Sequence, residues 1–484
     1  MKDTLNIAEK STFFLASQEN NNKFQSMDDF LRWFENKRKN YFSVEEIPFN
    51  KLDQWYFTPD RYSLVHQSGR FFRIEGIKVK TNFGKLQEWE QPIINQPEIG
   101  ILGILTKVFD GVRYFLMQAK MEPGNINILQ LSPTVQATKS NFSRVHKGKL
   151  PAYLEYFVDT SKSKVLIDQL QTEQGGRFFK KRNRNIVIEV TDDIVVLEDF
   201  CWLTLAEIKQ LLKIDNFVNM DARSVLSTIP LIDDVVLNEI QHKRLCDLTE
   251  LEINNKIYRG INLDLIISAC TQITDISSKN QLVSWYTDMK VKYELETTQI
   301  PLSKIKNWNI SDSSISSDDR FFSVIGVKVV ADTREVTSWT QPLIKDVHIG
   351  LLGFVAKKIN GVLHFLVQAK VEPGNIDVIE LSPTVSCSNY NYLIENQNER
   401  PPFFDYFLDN GNVNVLVDVL QSEEGGRFYQ IQNRNKLVVL DEGVDFDVPE
   451  NYCWMTLNQM MDFMRYSMFN IEARSLISCI NFCY

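Results

Sequence analysis

The 484-residue sequence predicts an α+β protein in which one domain type occurs twice, each copy a mixed or antiparallel sheet with peripheral helices. Three observations carry this. First, long segments recur: Gln118-Ala-Lys-Met-Glu-Pro-Gly-Asn125 returns as Gln368-Ala-Lys-Val-Glu-Pro-Gly-Asn375, and Gln171-Thr-Glu-Gln-Gly-Gly-Arg-Phe178 as Gln421-Ser-Glu-Glu-Gly-Gly-Arg-Phe428, both offset by 250 residues. Second, Asp110-Gly111 sits between two apolar runs, and Asn360-Gly361 repeats that hairpin signal. Third, capping residues precede stripes of apolar residues at helical spacing in both copies. A period this long marks duplicated domains, because solenoid repeats run to only ~20–50 residues.

Each element follows in order. Ser26 caps a helix from Met27, with Phe30, Leu31 and Phe34 as its apolar stripe. A loop then carries Trp55, matched by Trp308 in the second copy, as Trp33 is by Trp285. Strands are expected at Phe71–Lys80, at Gly100–Phe109 and, across the hairpin, at Val112–Ala119, then at Val165–Leu170 and Asn185–Val190. Thr204-Leu-Ala-Glu207 has capping-box spacing ahead of Ile208, Leu211 and Leu212, so a helix closes the copy; Thr456-Leu-Asn-Gln459 does the same in the second. The resulting division is a loose tail at 1–22, a first repeat at 23–230, a connecting segment at 231–275 and a second repeat at 276–484.

Composition removes several classes. Hydrophobic residues form 44% of the chain and charged ones 24%, ordinary globular usage that excludes extensive disorder. Apolar runs such as Gly100–Leu105 stop far short of the ~20 residues a membrane span requires. A net charge of −9 argues against non-specific nucleic-acid binding. The seven cysteines include no CxxC pair and are odd in number, which reads as reduced thiols. Met1-Lys-Asp-Thr-Leu-Asn lacks an apolar stretch of signal-peptide length, so a cytoplasmic protein is expected.

Polar residues beside the apolar runs are the candidate site. Lys120 and Glu122 follow a strand directly, and Glu173, Gly176 and Arg177 follow another. Glycines admit close backbone approach and arginine grips phosphate with two parallel hydrogen bonds, so the group suits a phosphate-bearing small molecule. A purely structural reading stands beside it: the glycines turn the chain, Arg177 pairs with Glu173, and the basic run Lys180–Asn185 is a solvated edge. Dinucleotide, P-loop and metalloprotease signatures are absent, and the five histidines form no metal-type pair, so no metal or cofactor is expected.

The ordered series through Gln118–Asn125, Leu131–Phe142, Tyr153–Phe157, Gln171–Phe178, Lys181–Asn185 and Asn219–Ser224 resembles the NDP-hexose 2,3-dehydratases of deoxysugar biosynthesis, from about Phe24 to Cys479 and in both repeats. The resemblance implies two Nudix-like domains from internal duplication, assembled as a homodimer. Each would hold a pocket for a dTDP-linked 4-keto-6-deoxy sugar, one catalytic and the other a relic. The diphosphate-cleaving carboxylate signature of Nudix hydrolases does not survive here. The family reaction removes the C3 proton, acidified by the C4 ketone, then expels the C2 hydroxyl; the enol tautomerises to a 3,4-diketo-2,6-dideoxy sugar. It needs a base, an acid and donors facing the enolate, but no redox cofactor. A coupled ketoreductase would consume the product.

By that resemblance Trp55, Thr138, Lys139, Ser140, Asn141, Phe142, Gly176 and Arg184 surround the nucleotide of the first pocket. Trp308, Ser388, Asn389, Tyr390, Asn391, Tyr392, Gly425, Gly426 and Arg427 do so in the second. The catalytic candidates are Lys120, Glu122, His146, Glu155, Tyr156, Glu173 and Arg177, all placed in the first pocket. Glu155 or His146 would serve as base, Tyr156 as acid, and Lys120 or Arg177 as holder of the enolate oxygen or a phosphate. Bland roles stay open for His146 as a surface imidazole, Glu155 as a solvated carboxylate and Trp55 as core. The second copy has no histidine at the matched place, and Asn389 and Tyr390 replace Lys139 and Ser140, so changes to the carboxy-terminal copy are expected to be tolerated. Two other readings remain: a non-catalytic nucleotide-sugar binding protein, and a Nudix-like diphosphate hydrolase.

Overall fold

The computed structural model describes residues 22–138, 150–159, 161–230, 262–272, 274, 276–317, 321–332, 336–408 and 413–482. The expected tail at 1–22, but for its last residue, and most of the connecting segment therefore lie outside the described residues. Leu263–Cys270, inside that segment, is a helix whose apolar side joins the second repeat's core through Leu265, Ile266 and Ala269.

Each copy contains an inner mixed sheet of seven strands. In the first, Gly100–Phe109 and Val112–Met121 form the expected hairpin, with Asp110 at φ 51° and Gly111 at φ 84°. Those left-handed angles match the right-handed twist of the paired strands, which is why Asp-Gly marks the turn. Arg182–Glu189 lies parallel to Gly100–Phe109 and antiparallel to Lys164–Thr172, which settles the sheet as mixed. The second copy repeats this with Gly350–Ile359, Val362–Lys370, Gln432–Leu440 and Asn414–Ser422. Side chains alternate across the hairpin strand: Phe115, Met117 and Ala119 join one core, while Tyr114 and Leu116 join the other.

Helices cover these sheets as their caps predict. Ser26 accepts from Asp29 N, and Phe30 and Phe34 of Met27–Lys37 are fully buried. Thr204 and Thr456 both close reciprocal capping boxes. Several strands extend further than their patterns predict. Val112–Met121 takes in Lys120, and Arg182–Glu189 takes in Arg184. Trp55 begins a short strand, Trp55–Phe57, instead of lying in a loop.

The two copies are interlaced. Phe42–Ile47 of the first pairs antiparallel with Ser323–Ala331 of the second, and Leu295–Ile300 of the second pairs with Arg73–Thr81 of the first. Each outer sheet thus includes a strand from the other copy. A Cβ on Gly76 would lie 2.8 Å from Ile300 O, and one on Gly326 would lie 2.8 Å from Ile47 O, so glycine makes room for the exchanged strand at both positions. Two buried arginines tie the last helices across the same boundary. Arg223 Nε donates to Ser475 Oγ at 2.9 Å and Nη1 to Gln421 Oε1 at 3.1 Å; Arg474 donates to Thr172 O at 2.6 Å. Buried guanidinium groups persist only when so paired. Among the described residues, no helix is long and apolar enough to cross a membrane.

Candidate active site

Lys120 is the last but one residue of its strand and Glu122, two residues on, follows the strand's end, so both side chains reach one point. Lys120 Nζ lies 3.1 Å from Glu122 Oε1, and both are nearly buried. Gln136 Nε2 donates to the same oxygen at 2.9 Å. Asn219, the cap of the helix Met220–Ser227, directs its amide to Ser132 Oγ at 2.8 Å and to Glu122 Oε2 at 3.4 Å. Asp221, two residues along, is 3% exposed, and burial holds its carboxyl well above the ordinary range; Glu424, Glu173 and Glu122 add to the rise and Lys120 opposes it.

Glu424 comes from the other copy. The backbones interlock here: Gly124 N donates to Gly425 O at 2.7 Å, and Gln430 N donates to Gly124 O at 2.7 Å. A Cβ on Gly425 would stand 2.9 Å from Glu122 Cβ. The contact thus brings Glu424–Arg427 of the carboxy-terminal copy against Lys120 and Glu122 of the amino-terminal one. Burial raises the Glu424 carboxyl to about 7, with Arg427 opposing and Glu122 and Glu173 reinforcing. Arg427 stacks over Phe72, its guanidinium carbon 4.2 Å from the ring centroid, and its Nε and Nη2 reach Gln96 Oε1 at 3.3 and 3.2 Å.

A second cluster is related to the first by the duplication. Lys370 Nζ lies 2.9 Å from Glu372 Oε1, Glu472 stands where Asp221 does, and Gly374 N donates to Gly175 O at 2.7 Å. Arg177 stacks on Phe322 at 4.0 Å, and its charged neighbours are Asp346, Glu372, Glu423 and Glu472. This corrects the grouping of Arg177 and Gly176 with Lys120: the Gly-Gly-Arg loop of each copy crosses to the other copy's cluster, because the exchange places it there. The same geometry corrects the first pocket as the product of the amino-terminal copy alone. Nor does Arg177 pair with Glu173, whose Oε1 instead accepts from Asn183 Nδ2 at 2.7 Å. Burial raises the Glu173 carboxyl, with Arg474 and Lys181 opposing.

The other expected residues disperse. Glu155 is exposed in the first turn of a short helix, Glu155–Val158, and Tyr156 packs half-buried on the core below it. Arg184 is held by Asp168 on the neighbouring strand through two bonds of 2.7 Å, as Arg434 is by Asp418. Trp55 is core: it is 7% exposed, donates to Thr340 O at 3.0 Å and packs 4.9 Å from Phe72, behind Arg427. Trp308 repeats this with Glu90 O and Phe322, behind Arg177. Thr138 is half-buried just beyond the strand that carries Gln136, while Lys139, Ser140, Asn141, Phe142 and His146 lie outside the described residues.

In the second copy the corresponding loop is a helix, Tyr390–Glu395, capped by Asn389. Tyr390 is buried against Phe404 with its hydroxyl on Phe407 O at 3.0 Å, and Tyr392 OH donates to Glu399 at 2.8 Å. Ser388 and Asn391 are exposed; Gly425, as above, meets Glu122, and Gly426 O accepts from Gln341. Asp221, Gln136 and Glu424 escaped the sequence reading. A signal for Asp221 existed: Asn219-Met-Asp-Ala-Arg-Ser224 and Asn470-Ile-Glu-Ala-Arg-Ser475 both keep an acid after the capping asparagine.

Comparison with known proteins agrees with this duplicated arrangement. The family described as NDP-hexose 2,3-dehydratase matches residues 27–229 and again 279–480. A dTDP-4-dehydro-6-deoxy-alpha-D-glucopyranose 2,3-dehydratase of Saccharopolyspora spinosa is 44% identical over 445 residues, covering 92% of this chain and 88% of that protein. Proteins of the same name from Amycolatopsis orientalis and Streptomyces violaceoruber are 41% and 42% identical, over 94% and 93% of this chain and 90% and 96% of theirs.

Proposed function

The chain belongs to the NDP-hexose 2,3-dehydratase family, and from that premise we propose that it removes the C2 hydroxyl of dTDP-4-dehydro-6-deoxy-glucose. The observation that carries the reading is the Lys120–Glu122 pair set beside two further carboxyls and a guanidinium, in a chain 41–44% identical over most of its length to three enzymes of that name.

The chemistry follows from the groups. Glu122, ion-paired with Lys120 and accepting from Gln136, takes the proton from C3. The Lys120 ammonium faces the charge that develops on the C4 oxygen, where a preoriented cation in a nearly dry site acts strongly. Arg427, flat against Phe72, offers its fork to the diphosphate. Elimination of water then needs an acid at C2 and no net change of oxidation state. The reading extends to a Nudix-like ancestry for each repeat, division of the chain at 23–230 and 276–484, a homodimer, a cytoplasmic setting and a ketoreductase that consumes the diketone.

The test is incubation with the 4-keto sugar nucleotide in deuterated water without nicotinamide. Loss of one water with deuterium at C2 of the product is expected. Release of thymidine monophosphate, or binding with the sugar unchanged, would reject the reading.

A further inference from the structure

The two clusters differ at one chemically decisive place. The loop that crosses into the Lys120 cluster reads Glu423-Glu-Gly-Gly-Arg427, whereas the loop crossing into the Lys370 cluster reads Glu173-Gln-Gly-Gly-Arg177. Glu424 and Gln174 are therefore counterparts. Gln174 is 7% exposed and turned inward, its amide donating to the Glu423 carboxyl. Glu424 is only half-buried and its Oε1 accepts from Gly426 N at 2.9 Å, which folds the carboxyl back over the turn whose Gly425 meets Glu122. The duplication thus supplies a transferable proton to one site and an amide to the other. An amide cannot serve as a general acid near neutrality.

We propose that Glu424, carried by the carboxy-terminal copy, is the acid that protonates the departing C2 hydroxyl at the Lys120–Glu122 site of the amino-terminal copy. This rests on the dehydratase reading above. The base removes the C3 proton and the electron pair becomes the C3–C4 enolate. Its return forms the C2–C3 double bond as the C2–O bond breaks, and the hydroxyl leaves as water with the proton of Glu424. The enol then gains a solvent proton at C2 and loses the one on its C3 oxygen, so atoms and charge balance. The groups facing Glu424 suit a carboxyl that is protonated before the step: Glu122, Glu173 and Asp221 disfavour its charge, while Arg427 and Lys181 keep the change tolerable. Neither site would be complete in a single repeat.

Glu424→Gln separates the two half-reactions. Turnover should fall by about 10²–10⁴-fold, while thymidine diphosphate still binds and the recovered substrate still gains deuterium at C3. Turnover within about twofold of the parent, judged against that expected loss, overturns the inference, as does loss of C3 exchange, which would place Glu424 at proton abstraction instead. If Glu424→Gln does not fold, Glu424→Asp decides: lowered kcat with KM and C3 exchange kept supports the role, and unchanged kcat overturns it. Failure of the parent protein to dehydrate the sugar would instead strike at the proposed function, so the two failures are distinguishable.

Discussion

Gly124→Ala tests the interlock between the copies directly. A Cβ at Gly124 would stand 1.6 Å from Phe428 O and 2.7 Å from Gly425 O, both backbone atoms of the other copy. Restoring ordinary contact requires the two loops to part by about 1.5–2 Å. That stretches the reciprocal backbone bonds, Gly124 N to Gly425 O and Gln430 N to Gly124 O, each 2.7 Å. Losing two such bonds in a nearly dry interface costs roughly 1–3 kcal/mol apiece. Overpacking adds about 1–3 kcal/mol, so the whole effect is on the order of 3–6 kcal/mol after partial relaxation. The same displacement carries Glu424 and Arg427 away from Glu122, and a misplacement of about 1 Å can cost roughly 100-fold in rate. Thermal melting and turnover are measured together, with Gly443→Ala, which meets nothing within 4 Å, as control. Gly374→Ala, whose Cβ would stand 1.8 Å from Phe178 O, should destabilise equally and yet, where folded, retain far more turnover. Melting and turnover of Gly124→Ala equal to those of Gly443→Ala would refute the argument.

Three further outcomes follow from the same geometry. Arg427→Lys replaces a planar fork stacked on Phe72 with a point charge, so KM should rise about tenfold, while Arg177→Lys in the other cluster should leave KM near the parent value; equal effects on both would contradict the assignment of sites. Arg223→Leu removes a fully buried guanidinium from Ser475 and Gln421 and should cost about 3–5 kcal/mol in urea unfolding. Burial pushes Glu380 up to about 8 and Glu423 to about 7, from 4.5, so the folded chain holds protons there that the unfolded chain has already released. Stability should therefore be full below about pH 4.5 for these groups and fall as pH rises to about 8, seen as a lower urea midpoint near pH 8 than near pH 6.

Local signals were read well because their physics is local. Ser26, Thr204 and Thr456 satisfy orphan amides within three residues, and Asp110-Gly111 adopts the left-handed angles its hairpin demands, so spacing alone located these elements. Apolar runs beside the turn likewise locate the inner strands. The hidden parts were those whose partners lie about half a chain away: the strand pairing of Phe42–Ile47 with Ser323–Ala331, and the crossing of each Gly-Gly-Arg loop.

Sequence by itself determined the duplication, the inner hairpin, the capped helices and the Lys-x-Glu pair, since each is written in contiguous residues or in a fixed offset. Which Gly-Gly-Arg loop serves which Lys-x-Glu pair was decided only by tertiary structure. Both assignments leave every local preference unchanged, and only the exchanged strands, with Gly124 against Gly425 and Gly374 against Gly175, select one. The upward shift of the Asp221 and Glu424 carboxyls was decided there too, because the fold desolvates them and sets other carboxyls beside them, and both effects disfavour the charged form.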